Sequence, residues 1–254
     1  MATAQNDVID VVVIGGGWSG LLSCKHAKEE GLSVKVLEKR EDLGGVWKYS
    51  DRSDITTVMR NTSTSSSSTV TEISDYPMPD DIGEFPKHAD VLTYLESYAD
   101  TFDLRRHIKF DSAVSMVTKQ GNVWQVITDD GEILYCRNVV VCSGVHQKPN
   151  VELKDTTLRR YTGEVVHAGK LKFFDPAHEG KRIMIIGGGE TASDILQEYH
   201  SNVSKIIWCI PRGQHFFRKY AKILPHRKPQ ALDKASSRAL TLISPQVKSK
   251  PGKI

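Results

Sequence analysis

The chain has 254 residues, of which 39% are apolar and 26% charged, with 19 glycines and 10 prolines. This length allows one or two domains, and this composition excludes collagen, a coiled coil and a wholly disordered chain. The net charge is +3, but residues 205–254 carry 12 basic residues against one acid, Asp233. No apolar run approaches the roughly 18 residues that a membrane-spanning helix requires, and the N-terminus lacks the pattern of a signal peptide.

We interpret the basic stretch as a solvated surface and not as a nucleic-acid site, because no RNP, KH, helix-turn-helix or zinc pattern accompanies it. The four cysteines form no CxxC or zinc-ligand spacing. They are therefore predicted to be packing residues in a reduced, intracellular and cytoplasmic protein, with neither a disulfide framework nor a metal site.

The first forty residues have the pattern of a β-α-β unit. Val8–Ile14 is a β-branched run that predicts a buried central strand. A glycine-rich turn leads into a predicted helix over Trp18–Glu30, which Gly31 ends at the C′ position. Ser33–Leu37 predicts the second strand, so the chain is expected to open with two parallel strands.

The middle of the chain predicts a loop, a helix and three strands. Residues 60–71 are rich in serine and threonine, a composition typical of a flexible linker. Asp90–Phe102 has apolar residues at helical spacing, with Asp90 as the expected N-cap. Three β-rich runs separated by glycine-containing turns then predict an antiparallel β-meander. These runs are Ala113–Thr118, Val123–Thr128 and Ile133–Val141.

A second β-α-β unit begins near residue 181. Lys181–Ile186 predicts a strand, Glu190–His200 a helix and Lys205–Ile210 another strand. Prolines interrupt the pattern after residue 210, and no third strand of this unit is evident. The second unit is therefore expected to be incomplete.

The first glycine turn carries a dinucleotide-binding pattern. Gly15, Gly17 and Gly20 match GxGxxG: the first permits a tight turn, the second lets the main chain approach a pyrophosphate, and the third lets helix and strand pack closely. Glu38 follows the second strand, where a carboxylate can accept hydrogen bonds from a ribose diol. This predicts an FAD site, with NAD as the alternative. Other candidate contacts in the same turn are Gly16, Trp18 and Ser19.

The second glycine turn carries a related pattern, GxGxxA, at Gly187, Gly189 and Ala192. No acid follows the next strand, which leads instead to Arg212. A guanidinium there would suit a 2′-phosphate, so this turn predicts an NADPH site. The remaining candidate contacts are Thr191, Ser193 and Asp194.

Two dinucleotide sites in one chain indicate electron transfer from NADPH to a flavin. The predicted fold class is α/β, with two Rossmann-like dinucleotide-binding units of the three-layer FAD/NAD(P)-binding type, an antiparallel β-meander, and an incomplete second unit. We expect an FAD-binding domain at 1–150, a partial NADPH-binding domain at 151–218, and a basic, mobile tail at 219–254.

Several segments resemble the flavin-containing monooxygenases, from Val8 to about Arg218. LEKREDLGGVWKYS resembles the family's second flavin segment, MRNTS its active-site segment, and VVVCSG the strand that closes the first flavin region. The resemblance implies that Asn61 faces flavin and nicotinamide and acts in catalysis. It also implies further cofactor contacts at Gly44, Gly45, Val46, Trp47, Arg60, Thr62 and Gly144.

The stretch from Tyr161 through Gly163 to His167 resembles the family's identifying signature, but it has Tyr where Phe is usual and Leu171 at the closing aromatic position. Baeyer–Villiger monooxygenases carry Trp at that closing position and an NRYPG stretch, and both are absent here. His167 is interpreted as a connector residue in preference to a proton-transfer catalyst.

The resemblance implies an enzyme that uses NADPH and O2, through a C4a-hydroperoxyflavin, to oxygenate a small nucleophilic substrate at an amine nitrogen or a thioether sulfur. It also implies peripheral association with the endoplasmic reticulum. Family members are longer, so the chain is expected to be a partial form. Two alternatives remain open: a non-catalytic nucleotide-binding fragment, and an NADPH-dependent flavoprotein reductase or oxidase.

Overall fold

A computed structural model describes residues 8–148, 157–210, 213, 216, 218–221 and 228–234. The helices are α1 (Trp18–Glu29), α2 (Ser68–Thr71), α3 (His88–Thr101) and α4 (Glu190–Tyr199). The strands of the first unit are β1 (Ile9–Ile14), β2 (Val34–Leu37), β3 (Ile108–Lys109), β4 (Val114–Gln120), β5 (Val123–Thr128) and β6 (Ile133–Val141). The later strands are β7 (Arg182–Ile186), β8 (Lys205–Cys209), β9 (Tyr220–Ala221) and β10 (Gln230–Ala231).

The first unit is built on a six-stranded sheet in the order β3-β2-β1-β6-β5-β4. β1 pairs in parallel with β2 and with β6, whereas β6, β5 and β4 form an antiparallel meander. Val12 and Val13 of β1 are completely buried, as expected for a central strand that is covered on both faces. The predicted parallel opening, the meander and the α/β class are therefore confirmed.

Helices α1 and α3 cover one face of this sheet. Their buried residues, including Leu21, Cys24 and Leu95, form one apolar cluster with Val13 and Val36. The opposite face carries a smaller cluster of Val12, Leu37, Val126 and Cys136. Burying both faces holds the carboxyl end of β1, and the glycine turn that follows it, in a rigid setting.

Three details of the first unit differ from the sequence prediction. α3 begins at His88 and its N-cap is Lys87. Asp90 is the third helical residue, and its carboxylate accepts a 2.9 Å hydrogen bond from the main-chain N–H of Lys87. The two-residue strand β3 was not predicted, because so short a run carries no periodic signal.

The second unit, as far as the described residues extend, is a two-stranded parallel sheet of β7 and β8 with α4 packed on one face. Ile185, Ala192, Ile195 and Tyr199 form its core together with Met59 from the first unit. The other face of β7 leaves Met184 more than half exposed.

Part of the stretch predicted to be a mobile tail packs against the serine- and threonine-rich loop. β9 and β10 form an antiparallel pair. The main-chain N–H of Ala231 donates to Glu84 at 3.0 Å, and Asp233 accepts a 2.6 Å hydrogen bond from the N–H of Ser67. Ser67 is fully buried, so the loop expected to be a flexible linker is instead a packed segment.

Candidate functional site

The first glycine turn has no room for side chains at its first and third glycines. Gly15 has φ +107°, and a Cβ there would lie 2.4 Å from the carbonyl oxygen of Cys142. A Cβ on Gly20 would lie 1.8 Å from the carbonyl oxygen of Gly15. The turn therefore brings the start of α1 directly against the ends of β1 and β6.

The N-terminus of α1 is free of side-chain caps. Its N-cap is Gly17, which has no side chain to cap the first-turn N–H groups, and Trp18 and Ser19 belong to this first turn. Such a helix end carries partial positive charge and suits a phosphate group. Gly45 lies against Gly17, because a Cβ on Gly17 would meet the Gly45 Cα at 3.4 Å.

Glu38 lies beside the same turn and is 5% exposed. Its Oε2 accepts a 2.5 Å hydrogen bond from the N–H of Gly16, and its Oε1 accepts one of 2.9 Å from the N–H of Arg40. Each carboxylate oxygen can accept a second hydrogen bond. The carboxylate thus fits the predicted contact with a ribose hydroxyl while it also braces the turn.

Arg40 holds the second flavin-like segment, a role that the motif reading missed. Its guanidinium donates to the carbonyl oxygens of Gly45 at 2.9 Å and Lys48 at 3.2 Å. Residues Gly45–Trp47 form a 3-10 turn, and the N–H of Gly44 donates to Gly16 at 3.1 Å. The two predicted flavin segments are therefore joined through the main chain.

The predicted active-site segment, residues 59–63, contacts both units together with Val58 directly before it. At one end, the N–H of Val58 donates to the carbonyl oxygen of Val46 at 3.0 Å. At the other end, the hydroxyl of Thr62 donates to Asp194 Oδ2 of α4 at 2.6 Å. Met59 is 3% exposed and belongs to the core of the second unit.

Arg60 and Asn61 point to different neighbours. The guanidinium of Arg60 lies over the Phe173 ring, 4.4 Å from its centroid. The side chain of Asn61 is exposed, and its Nδ2 donates to Oε2 of Glu198. Glu198 was not predicted, although it lies four residues after Asp194, a spacing that places both carboxylates on one helix face.

Asp194 is partly buried, and its environment changes its ionisation. Burial raises the pKa of this carboxyl, whereas the hydrogen bond from Thr62 acts in the opposite direction. The hydrogen bond compensates part of the cost of burying the charged form.

The second glycine turn is open. Gly187 has φ +123°, and a Cβ on either Gly187 or Gly189 would meet nothing within 4 Å. The N-cap of α4 is Gly189, without a side-chain cap. Trp208 fixes the turn by donating its indole N–H to the carbonyl oxygen of Gly187 at 2.7 Å. The open turn and uncapped helix end fit a phosphate-bearing ligand.

The other predicted residues of the second site differ in how far they are buried. Ala192 is 7% exposed and packs in the core, Ser193 is half-buried, and Thr191 is exposed. Arg212 lies outside the described residues, so its part in reading a 2′-phosphate stays a prediction.

Two residues of the connecting regions have local roles. His167 Nδ1 accepts a 3.1 Å hydrogen bond from the N–H of Gly169 and so caps a short 3-10 turn. Gly144 follows β6, and a Cβ there would meet the side-chain amide of Gln147 at 3.3 Å. Both contacts are local, and the cofactor contact expected of Gly144 stays a prediction.

Lys172 is a buried cation that the sequence reading did not identify. It is 3% exposed, and its Nζ donates to the carbonyl oxygen of Thr57 at 3.4 Å. Burial, together with repulsion from Arg40, lowers the pKa of Lys172. Its main-chain carbonyl also accepts a 2.8 Å hydrogen bond from the N–H of Arg60, so it supports the active-site segment from the connector side.

Comparison with known proteins is consistent with this arrangement. Residues 9–225 match the family described as flavin-binding monooxygenase-like. The chain is 35% identical over 208 residues to dimethylaniline monooxygenase (N-oxide-forming) 2 of Cavia porcellus, which covers 77% of this chain and 38% of that protein. Against human flavin-containing monooxygenase 2 the identity is 34% over 207 residues, with the same two shares.

Solved structures are similar as well. A flavin-containing monooxygenase from Stenotrophomonas maltophilia superposes with a TM-score of 0.71 at 28% identity, covering 84% of this chain and 61% of that chain. A steroid monooxygenase bound to NADP superposes with a TM-score of 0.59 at 26% identity, covering 93% of this chain and 44% of that one.

The chain spans 38% of the length of each of these two curated relatives. Within the part of the chain that the structure describes, no helix combines the length and apolar character needed to cross a membrane.

Proposed function

The chain belongs to the flavin-binding monooxygenase-like family, and from this premise we propose that it forms the FAD-binding and part of the NADPH-binding region of a flavoprotein monooxygenase. The proposed substrates are O2 and a small molecule with a nucleophilic amine nitrogen or thioether sulfur. Residues 1–150 are proposed to bind FAD, and residues 151–218 to bind NADPH.

The observation that carries the proposal is the position of residues 59–63 and of Val58 directly before them. This segment is hydrogen-bonded to the flavin-like turn at Val46 and to α4 at Asp194. We propose that the exposed amide of Asn61, which projects from this segment, lies between the two predicted dinucleotide sites. A catalytic side chain that serves both a flavin and a nicotinamide needs such a position.

The chemistry itself would come from the bound cofactors, since FAD and NADPH together supply hydride transfer and the reduction of O2. The chain's own residues bind and orient. The uncapped starts of α1 and α4 would hold phosphate groups. Glu38 would hold a ribose hydroxyl, and Asn61 would offer hydrogen bonds at the junction of the two cofactors.

Cofactor binding tests the first step of the proposal on this chain directly. We expect FAD to bind with quenching of its fluorescence, and NADP⁺ to bind the FAD-loaded chain more tightly than NAD⁺ does. Arg212→Ala should weaken NADP⁺ by about 1.5–3 kcal/mol, as expected for a hydrogen bond to a charged group, and should leave NAD⁺ unchanged. Arg182→Ala, on the exposed start of β7, is the matched control.

Turnover tests the second step and uses a longer protein that contains this region. Oxygenation of N,N-dimethylaniline coupled to NADPH consumption would support a monooxygenase. NADPH consumption that yields only H2O2 or a reduced acceptor, whatever the amine or thioether supplied, would favour a reductase or oxidase.

A further inference from the structure

Glu198 connects the predicted catalytic asparagine to the second unit. It lies in the second half of α4 and is half-buried. Its Oε2 accepts a hydrogen bond from Nδ2 of Asn61, and its Oε1 accepts one of 3.1 Å from the main-chain N–H of Phe174. Both carboxylate oxygens are therefore engaged, one by the active-site segment and the other by the connector before β7.

An ionised carboxylate can only accept hydrogen bonds, whereas a side-chain amide has a donor end and an acceptor end. Glu198 therefore selects one of the two amide orientations of Asn61, with Nδ2 toward α4 and Oδ1 away from it. We propose that Glu198 is a positioning residue that fixes the orientation of the Asn61 amide. Its consequence for catalysis rests on the proposed function, in which Asn61 serves both cofactors.

The neighbouring residue supports the same interpretation. Thr62 is anchored to Asp194, and Asp194 and Glu198 are separated by one helical turn on the same face of α4. The first carboxylate thus holds the segment through the Thr62 hydroxyl, and the second holds the side chain of Asn61. A rigid helix supplies both contacts, which keeps the geometry constant.

Stability alone does not account for this contact. The side chain of Asn61 is exposed, so water would satisfy the amide if Glu198 were absent, and the contact adds little to folding. What the contact does provide is a single defined amide orientation. Free rotation would present donor and acceptor ends alternately to a neighbouring ligand.

The sharpest test is Glu198→Gln, which keeps the size and shape of the side chain. The introduced amide can keep accepting from Phe174 through its oxygen, and then its NH2 group faces Asn61. Two NH2 groups cannot bond to each other, so Asn61 must turn or lose the contact. In the ¹⁵N-labelled chain without cofactors, we expect the Asn61 NH2 signals to shift and to exchange with solvent about tenfold faster. Asn61→Ala assigns these signals by their disappearance.

Glu179→Gln is the matched control, because Glu179 is an exposed glutamate of the same unit and should leave the Asn61 signals unchanged. Unchanged Asn61 signals in folded Glu198→Gln would overturn the proposal. If that variant does not fold, Glu198→Asp retains the charge but shortens the reach, and the same loss is expected; unchanged signals there would also overturn the proposal.

Because this measurement uses no cofactor, its outcome is independent of the proposed function. In the FAD-loaded chain, Glu198→Gln should also weaken NADP⁺ binding about tenfold. If the Asn61 signals change but NADP⁺ binding does not, the positioning by Glu198 stands and the role assigned to Asn61 at the nicotinamide is wrong.

Discussion

Thr62 and Asp194 lie 132 positions apart in the chain and are joined by a hydrogen bond of 2.6 Å. Thr62 is 9% exposed, and burial raises the pKa of Asp194. Because little water reaches either group, each relies on the other as a hydrogen-bond partner. The bond ties the segment that carries Asn61 to the helix that begins at the second glycine turn. Together with the hydrogen bond from Asn61 to Glu198, it joins the first unit to the second.

Removing the hydroxyl of Thr62 should therefore destabilise the chain. Thr62→Val keeps the shape of the side chain but leaves the carboxylate of Asp194 without its donor. We expect the free energy of unfolding to fall by about 1.5–3 kcal/mol, as for other hydrogen bonds to charged groups. Urea denaturation measures this, with Thr118→Val on the exposed strand β4 as the control. Equal effects of the two substitutions would contradict the prediction.

Asp194 should make stability dependent on pH. Its pKa in the folded chain is raised above the usual 3.8, so the folded state binds more protons than the unfolded state just above pH 3.8. This contribution to stability is complete below pH 3.8 and is lost as the pH rises through the raised value. Asp194→Asn can still accept from Thr62 but cannot ionise.

We therefore expect Asp194→Asn to be more stable than the parent chain at pH 7, with the difference disappearing toward pH 4. Denaturation at a series of pH values measures the difference, and Asp80→Asn, at an exposed loop position, is the control. If the stability difference between the variant and the parent chain grew as the pH fell, the pKa of Asp194 would not be raised in the folded chain.

A glycine-to-alanine substitution should destabilise the first glycine turn much more than the second. A Cβ on Gly20 would lie 1.8 Å from a carbonyl oxygen, whereas a Cβ on Gly189 would meet nothing within 4 Å. Gly20→Ala should cost about 3 kcal/mol or more through overpacking. Gly189→Ala should cost less than about 1 kcal/mol, as a change at an N-cap.

If a nucleotide phosphate approaches the second turn closely, however, Gly189→Ala should reduce NADP⁺ binding although the fold is retained. Calorimetric titration with NADP⁺ measures this. Full NADP⁺ affinity in the Gly189→Ala variant would mean that the phosphates bind elsewhere.

Asn61→Leu should uncouple NADPH consumption from oxygenation in a longer protein that carries this region. Leu has a similar volume but offers no hydrogen bonds, so FAD binding and some NADPH oxidation should continue. Product formed per NADPH should fall sharply, and H2O2 release should rise. Asn138→Leu, on β6, is the control. Unchanged coupling in Asn61→Leu would remove Asn61 from the catalytic machinery.

The contacts of β9 and β10 should protect Lys219 from trypsin. Its Nζ donates to Ser63 at 3.2 Å and lies over the Phe85 ring. Asp233→Ala removes the acceptor for the N–H of Ser67. It should weaken this packing by about 1 kcal/mol and speed cleavage after Lys219 roughly fivefold. Cleavage after exposed Arg52 should not change; equal acceleration at both sites would indicate global unfolding instead.

The two glycine turns, the strands around them and the meander were predictable from local sequence. Each depends on residues within about twenty positions, such as the strand, turn and helix around Gly15, and their spacing carries the signal. Asn61 was singled out by resemblance alone, because a polar residue in a serine- and threonine-rich stretch has no distinguishing pattern.

Only the tertiary structure shows which partners the serine- and threonine-rich stretch, residues 60–71, contacts. It packs the supposed linker under Asp233, places Thr62 on Asp194, and sets Glu198 against Asn61. These partners are separated by more than 130 positions, and no periodicity in the sequence links groups so far apart. The sequence by itself determined two glycine turns with the dinucleotide-binding pattern. The contacts that join these turns were decided by the tertiary structure. Buried polar groups require hydrogen-bond partners, and here those partners are far apart in the sequence.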